Sequence, residues 1–512
     1  MNSKLLKSIL LGMLLVLCMS VTMAAEVTED TTSEVTIPSE ENSYDNTLNN
    51  IESDNVEQFT QTRSYNPIST DTVINDSTWD NQAYDVTSNV KITTNITQSN
   101  NIAFRLNGNN ITIDGLNIVN DNTTPICISI ASGSSDIKII NNNIAINNNA
   151  STETRAVYMF NATNVCVTNN TFDICAVPQS SGWDNSTGVW LENMKVSAVK
   201  EELSNKVTIN NNVITVSKSV SSGDYFSSTD AITVKKSENS LIDNNTITMS
   251  GSAYLYAISA SYYCNNITAI NNIINLTGNN YICGIQFSST SNSKARNNQI
   301  IGTCTATSGA CPSYEAFAYG IISLTGTWGA STSEAVGNII ENNNVTLDST
   351  VAYSYELSNT ENNIIHNNTA TVTGNVVMAL GIYNSSNNNI TDNTFTVTGN
   401  TTTLNGFIYE AVYPVTTGIK IVCDENDTSQ YNIISGNDID VQDPNNTNIY
   451  SIILETNVNN NTVIENHLRA GDTSEISDMI LNNGLDNIIE DNEVLWWKIL
   501  KLFLVFLSFF FF

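Results

Sequence analysis

A chain of 512 residues with 19 Lys plus Arg against 50 Asp plus Glu carries a formal charge of −31. That balance excludes nucleic acid as a partner, because binding phosphates takes clustered cations. Charged residues make up only 13% of the chain, about half the usual share, so the surface is built from amides and hydroxyls, as suits a wall or envelope protein.

Residues 1–25 read as a secretory signal: Lys4 and Lys7, the apolar run Ile9–Leu17, then small residues ending in Ala24 and Ala25. Cys18 follows Leu17 rather than the small residue of a lipoprotein signal, so it reads as part of the apolar run. Residues 26–66 hold ten carboxylates between Glu26 and Glu57, with no Lys or Arg in that span, and are predicted to be a disordered acidic leader. Residues 67–101, with Trp79, Tyr84 and Ile92, are apolar and β-branched but out of register with the later chain, and read as an N-terminal cap over open strand edges. Residues 102–494 are assigned to the repeats, with Asp114 and Gly115 at the bend of a divergent first turn.

One pattern recurs from about Ile137 to Trp496 and is clearest in Glu361–Gly374, ENNIIHNNTATVTG. The Asn that ends each core dipeptide sets the register: Asn142, Asn170, Asn212, Asn245, Asn272, Asn298, Asn343, Asn368, Asn393, Asn437, Asn466 and Asn492. Three places before them stand only aliphatic residues, Ile139 through Ile489, and two places after them only apolar ones, Ile144 through Val494. Between anchor and dipeptide the residue is free, from Ile140 to Asp243, Arg296 and His366. Fixed apolar columns beside free ones mean side chains pointing alternately into a shared core and out to water, pass after pass. Spacings of about 25 to 29 residues fit three short strands and their bends, and wider gaps such as Asn170 to Asn212 fit an extra loop or a divergent coil. The pattern predicts an all-β fold, a right-handed parallel β-helix of about a dozen coils of three short strands, forming a rod on the order of 60 Å long.

Asn suits the bend between strands because it tolerates left-handed backbone, and stacked amides bond to one another in a ladder. A second ladder stands five places earlier in Asn338, Asn363, Asn388, Asn432, Asn461 and Asn487, only in the later half, which is therefore expected to be the more regular. A further strand upstream of each motif is often introduced by Gly, as in Gly188–Leu191, Gly284–Phe287 and Gly418–Ile421. Insertions near Ala176–Gly188, Ser217–Asp230, Thr303–Tyr319 and Gly399–Thr417 are expected to project and to carry any recognition.

These residues resemble a family. The repeated N-x-I-I-x-N-N-x-I-x-V pattern, the signal and the Asn/Thr-rich acidic body look like the adhesin-like surface proteins of methanogenic archaea, and the repeat also resembles that of the right-handed β-helix family that includes pectate lyases. The resemblance spans about Ile102 to Val494 and implies the fold, surface display and, through an anaerobic source, few disulfides. Such proteins continue into further repeats and an anchor. Here residues 495–512 are a hydrophobic tail, LWWKILKLFLVFLSFFFF, that reads either as a short membrane anchor or as a frameshift remnant ending in the run Phe509–Phe512, with a hydrophobic end cap as a third reading.

Candidate chemistry is sparse. Asp424, Glu425 and Asp427 cluster in one loop as a Ca²⁺ candidate, against the plainer reading of a solvated acidic loop. Cys304 and Cys311 flank a short Ser/Gly loop as a disulfide candidate, while Cys127, Cys166 and Cys283 read as small core residues. His366 and His467 fall in outward columns as surface histidines. No metal-site spacing stands out, and no cofactor is expected. Sequons such as Asn95, Asn161, Asn266, Asn344, Asn389 and Asn426 offer glycosylation sites.

The sequence thus supports a secreted, surface-displayed, non-catalytic rod whose partners are glycans or proteins of other cells, with membrane anchoring through the tail as an option. The alternatives are a polysaccharide lyase or glycoside hydrolase, and a structural envelope protein. A groove where Asp meets Arg or Lys would favour the enzyme; uncharged grooves with loop aromatics such as Tyr225, Tyr314 or Trp328 would favour binding.

Overall fold

A computed structural model describes residues 64–495, apart from residues 76, 80–81, 95–101, 121–125, 149–153, 177–182, 185–188, 191–195, 219–227, 252–253, 306–315, 326–334, 401–415, 425–426 and 447. These belong to the compact unit Arg63–Phe512. The signal, nearly all of the acidic leader and the tail beyond residue 495 lie outside the described residues, as do Glu425, Cys311, Tyr225, Tyr314 and Trp328.

The chain is a right-handed parallel β-helix. From Ala103–Leu106 on, each coil contributes to each of three sheets, and the two coils before it show strands of two among the described residues. Sheet I holds the short strands that lead into the Asn dipeptide, 15 in all from Thr72–Ile74 to Ile488–Glu490. Sheet II holds the strands that come after the dipeptide, from Asn117–Asn120 to Glu493–Val494. Sheet III holds the strands upstream of the next sheet I strand, from Tyr65–Ile68 to Ile480–Asn482. Sheets II and III run together in Asn344–Ser358 and Thr369–Tyr383, where a single strand carries through the bend. Pairing is coil to coil and parallel: Ile364–His366 lies between Ile339–Glu341 and Asn389–Thr391.

The fixed columns fill the interior. Ile340, Ile365, Ile390 and Ile434, three places before the reference Asn, are 0% exposed, and so are Ile247, Ile274, Ile300 and Val345, two places after. The last anchor, Ile489, is only partly buried against that core.

The two residues of each dipeptide have separate duties. The first is left-handed, with φ of 56° at Asn342, 51° at Asn367, 56° at Asp392 and 67° at Gly436. The second is buried, and its amide makes the ladder. The Asn343 Oδ1 accepts from the backbone N–H and the Nδ2 of Asn298 at 3.0 and 2.9 Å, while its Nδ2 donates to the Ala295 carbonyl at 2.8 Å and to Asn368 Oδ1 at 3.0 Å. The second ladder links Asn363 to Asn388 at 2.8 Å, Asn388 to Asn432 at 2.9 Å and Asn461 to Asn487 at 3.2 Å. In earlier coils a hydroxyl does the same work, as where the Ile267 N–H donates to Ser293 Oγ at 2.9 Å.

Two expectations need correction. The described strands of the stretch read as a cap already pair as coils: Tyr65–Ile68 pairs with Ala83–Val86, which pairs with Ala103–Leu106, and Thr72–Ile74 pairs with Lys91–Thr94. These coils are about 20 residues long, so their apolar residues fall out of the later register, yet Ile74, Val86 and Ile92 still fill the core. The first strand also takes two residues from the stretch assigned to the acidic leader. Among the described residues sheet I therefore holds 15 strands, counting these early coils. Val189–Trp190, expected as a core strand, instead pairs antiparallel with Trp183–Asp184, and that coil's sheet III strand is Val196–Glu202.

Candidate functional site

The four large insertions share one origin. Each lies between a sheet II strand and the next sheet III strand: after Thr171–Ala176, Val213–Lys218, Gln299–Cys304 and Thr394–Gly399. The described chain on either side of each places its ends at the junction of sheets II and III, and the outer side of sheet III is therefore taken as the candidate site.

Its shape comes from a column of small residues. In coil after coil the sheet III pairing skips one position, occupied by Ala156, Ala198, Ala231, Ala257, Gly284, Gly320, Ser354, Ala379, Gly418 and Ser451. A side chain there meets the neighbouring coil: a Cβ on Gly320 would lie 2.4 Å from the Ser354 carbonyl oxygen. Gly284 and Gly418, noted before the upstream strands, belong to this column. Such irregularities re-aim neighbouring side chains, and here the residue before each skip stands outside the apolar core, partly exposed at Tyr256, Tyr319 and Tyr353 and buried at the other positions. That row reads Arg155, Ser197, Asp230, Tyr256, Cys283, Tyr319, Tyr353 and Met378.

Two halves of this face differ. In the earlier coils charges gather. The Arg155 guanidinium lies over the Tyr158 ring at 4.3 Å, Thr233 Oγ1 donates to Asp230 Oδ2 at 2.8 Å, and Glu202 stands 3.7 Å from Lys200 and 3.8 Å from Lys235. In the middle coils aromatic rings stack along the axis, with centroids 5.1 Å apart for Tyr254 and Tyr281, 5.3 Å for Tyr281 and Tyr319, and 5.5 Å for Tyr319 and Tyr353. All four tyrosines are half-buried.

The tyrosine row ends in a depression of about 360 Å³ lined by Phe317, Tyr319, Tyr353, Glu356, Asn359, Tyr383, Asn384 and Asp424, among others. Burial pushes the Glu356 carboxyl up to about 7. Asp424 is held by Asn384, whose Nδ2 donates to Asp424 Oδ2 at 2.9 Å while its Oδ1 accepts from the Asp424 N–H at 2.8 Å. Two coils on from Glu356 in the same outward column, Lys420 is buried, and its ammonium lies 3.0 Å from Glu455. Burial pulls the Lys420 pKa down, an effect partly offset by Glu455.

Of the residues singled out in the sequence, Asp424 lines this depression, and Asp427 meets it only through a backbone N–H to the Asp424 carbonyl at 3.2 Å. Among the described residues no group of three His, Cys, Asp or Glu is placed to hold a metal ion. Cys304 is a buried free thiol pushed up to about 12 by burial. His366 and His467 stand beside Asp392 and Asp438 on other faces, away from the site. The tyrosines and Glu356 escaped sequence reading because they occupy a free column; the signal that marks them is a position, one or three places before, or two places after, a small residue in a strand.

No family model matches this chain, and no curated protein is similar to it in sequence. Similar solved structures include the periplasmic alginate epimerase AlgG, at 10% identity over 83% of this chain and 85% of that one, TM-score 0.41. Others are the A-module of mannuronan C-5 epimerase AlgE6 of Azotobacter vinelandii, at 11% identity over 76% and 90%, TM-score 0.37, and the Dettilon tailspike protein, at 14% identity over 75% and 62%, TM-score 0.34. At these scores the likeness says nothing of the chain's chemistry. What the fold and site define by themselves is a parallel β-helix with an aromatic and acidic outer groove. Among the described residues no helix is long and apolar enough to cross a membrane.

Proposed function

We propose that this protein is a surface-displayed, adhesin-like binder of extended glycans, and that it lays a polysaccharide chain along the outer side of sheet III. The observation that carries this is the tyrosine row. Partly exposed rings repeated about 5 Å apart along a rigid axis give successive sugar rings apolar faces to stack on, and the phenols supply hydrogen bonds. Parallel coils fix the spacing in advance, so little ordering entropy is lost on binding. The N-terminal stretch read as a secretory signal and the acidic, amide-rich body support a location outside the cell.

The test is a glycan array followed by calorimetry on the full chain with Y319A, Y353A and the double variant. Each single variant is expected to lower affinity about tenfold, the order of an aromatic contact. If both bind the array hits as well as the parent, the groove is not the site.

A second reading rests on a separate observation: Glu356, held near neutrality, shares its depression with Asp424. Glycoside hydrolysis uses two carboxyls on one groove, one to protonate the leaving oxygen, the role burial suits Glu356 to, and one to activate water or attack. Release of reducing ends from an array hit, abolished in E356Q and D424N with binding retained, would establish it.

A further inference from the structure

One corner of the solenoid gives up stability to display side chains. Nine places before the reference Asn, where sheet III turns into sheet I, the backbone is left-handed in most coils. Gly or Asn usually stands there, as Gly133, Asn161, Asn359, Asn384 and Asn457 do. Three successive coils instead carry Leu203, Lys236 and Tyr263, with φ of 52°, 51° and 65°, and Tyr262 beside the last has φ 59°. Bulky residues in that conformation cost on the order of 1 kcal/mol each, and such costs persist where something else depends on them. Leu203 is 43% exposed and Tyr263 50% exposed, so neither is offset by burial.

The same corner is positive in a chain of charge −31. The three residues stack one coil apart, since the Leu203 N–H donates to the Lys235 carbonyl and the Lys236 N–H to the Ser261 carbonyl. Exposed Lys206, also left-handed at φ 57°, stands on the Leu203 coil. Lys235 lies over the Tyr262 ring at 4.8 Å, and Lys200 and Lys235 share a single carboxylate, Glu202. Glu201 points into the core, and with exposed Glu238, whose carbonyl accepts the Lys206 N–H, the corner sets four lysines, Lys200, Lys206, Lys235 and Lys236, against two surface carboxylates, Glu202 and Glu238.

We infer that this corner, Leu203, Lys206, Lys236 and Tyr263, is a binding site for an anionic glycan of carboxylated or sulfated sugars. The Tyr and Leu faces meet the ring carbons, and the lysines between them meet the acidic group. A neutral sugar leaves the cations unused; an inorganic anion leaves the apolar surface unused. The site lies at the III/I corner, apart from the tyrosine row, and stands or falls independently of it.

Strain and binding can be tested in one pair of substitutions. Replacing Tyr263 and Leu203 by Asn restores the residue the backbone prefers, so L203N/Y263N is expected to raise the melting temperature while weakening binding of polygalacturonate or dextran sulfate about tenfold. K206Q/K236Q should weaken binding and flatten its dependence on NaCl. Neutral dextran should not bind at this corner. Polygalacturonate against dextran sulfate separates carboxylate from sulfate. If L203N/Y263N stabilises the chain yet binds both polyanions as the parent does, or if neither polyanion binds the parent, the proposal is overturned.

Discussion

Asn343 and its neighbour Asn342 look interchangeable in the sequence and are not. Asn343 closes four hydrogen bonds inside the wall of the coil, two as acceptor and two as donor. Truncation to Ala strands an amide N–H and a side-chain amide of Asn298, at about 1 to 3 kcal/mol for each buried group. Asn342 offers its side chain to an exposed partner, Asn367 Nδ2 at 2.7 Å, and is needed chiefly for its φ of 56°. We expect N343A to lose several kcal/mol in denaturant melts and N342A about 1 kcal/mol; equal losses would refute the division of labour.

Glu201 is the opposite case, a residue that opposes its surroundings. It occupies an inward column between Met159 and Val234, and its carboxylate accepts a bond from Ser240 Oγ at 2.6 Å. Burial pushes its carboxyl from 4.5 up to about 7. The folded chain therefore holds a proton that the unfolded chain has released, and stability falls as pH rises from about 4.5 to 7. Melting temperature should decline across that window, and E201Q, which needs no proton, should decline less. An unchanged slope in E201Q would remove Glu201 as the cause.

At the scale of the strand, the small-residue column of sheet III governs both packing and site. Gly320 has no room for a Cβ, with the Ser354 carbonyl oxygen at 2.4 Å and Val345 Cγ1 at 2.6 Å. G320A must push the strand outward beside Tyr319, so it should cost on the order of 1 to 3 kcal/mol and weaken glycan binding as well. A melt that drops while binding holds would separate the column from the groove. Legibility in the sequence also ends at this column. The inward columns and the ladder can be read because the core demands the same chemistry at every pass: Ile365, Ile390 and Ile434 have no alternative. Tyr281, Tyr319, Tyr353 and Glu356 share a surface only through register, which a skipped residue shifts, and nothing about an outward column repeats. The coils described between residues 65 and 94 escape for a related reason, since a pass about 20 residues long breaks the period that identifies a coil.

For the molecule as a whole, a solenoid has no long-range core, and each coil is stabilised only by its own packing and its two neighbours. Stability should therefore vary along the axis with the quality of each interface. In the middle, an amide ladder joins Asn212 to Asn245 to Asn272 to Asn298 at 2.9, 3.0 and 3.0 Å. The ladder first appears where Asn142 Oδ1 accepts the Leu116 N–H, and the earliest coils are joined instead by strands of three or four residues, Thr72–Ile74 to Lys91–Thr94 and Tyr65–Ile68 to Ala83–Val86. At the far end the ladder persists, with Asn466 Nδ2 donating to Asn492 Oδ1 at 2.9 Å, although Ile488 is 50% exposed. Opening should thus begin at the N-terminal coils. In native-state hydrogen exchange, amides of residues 65–94 should exchange first, those of 462–494 next and those of 205–300 last. Uniform exchange along the axis, or loss from the C-terminal coils first, would show that amide ladders do not set the local stability of this fold.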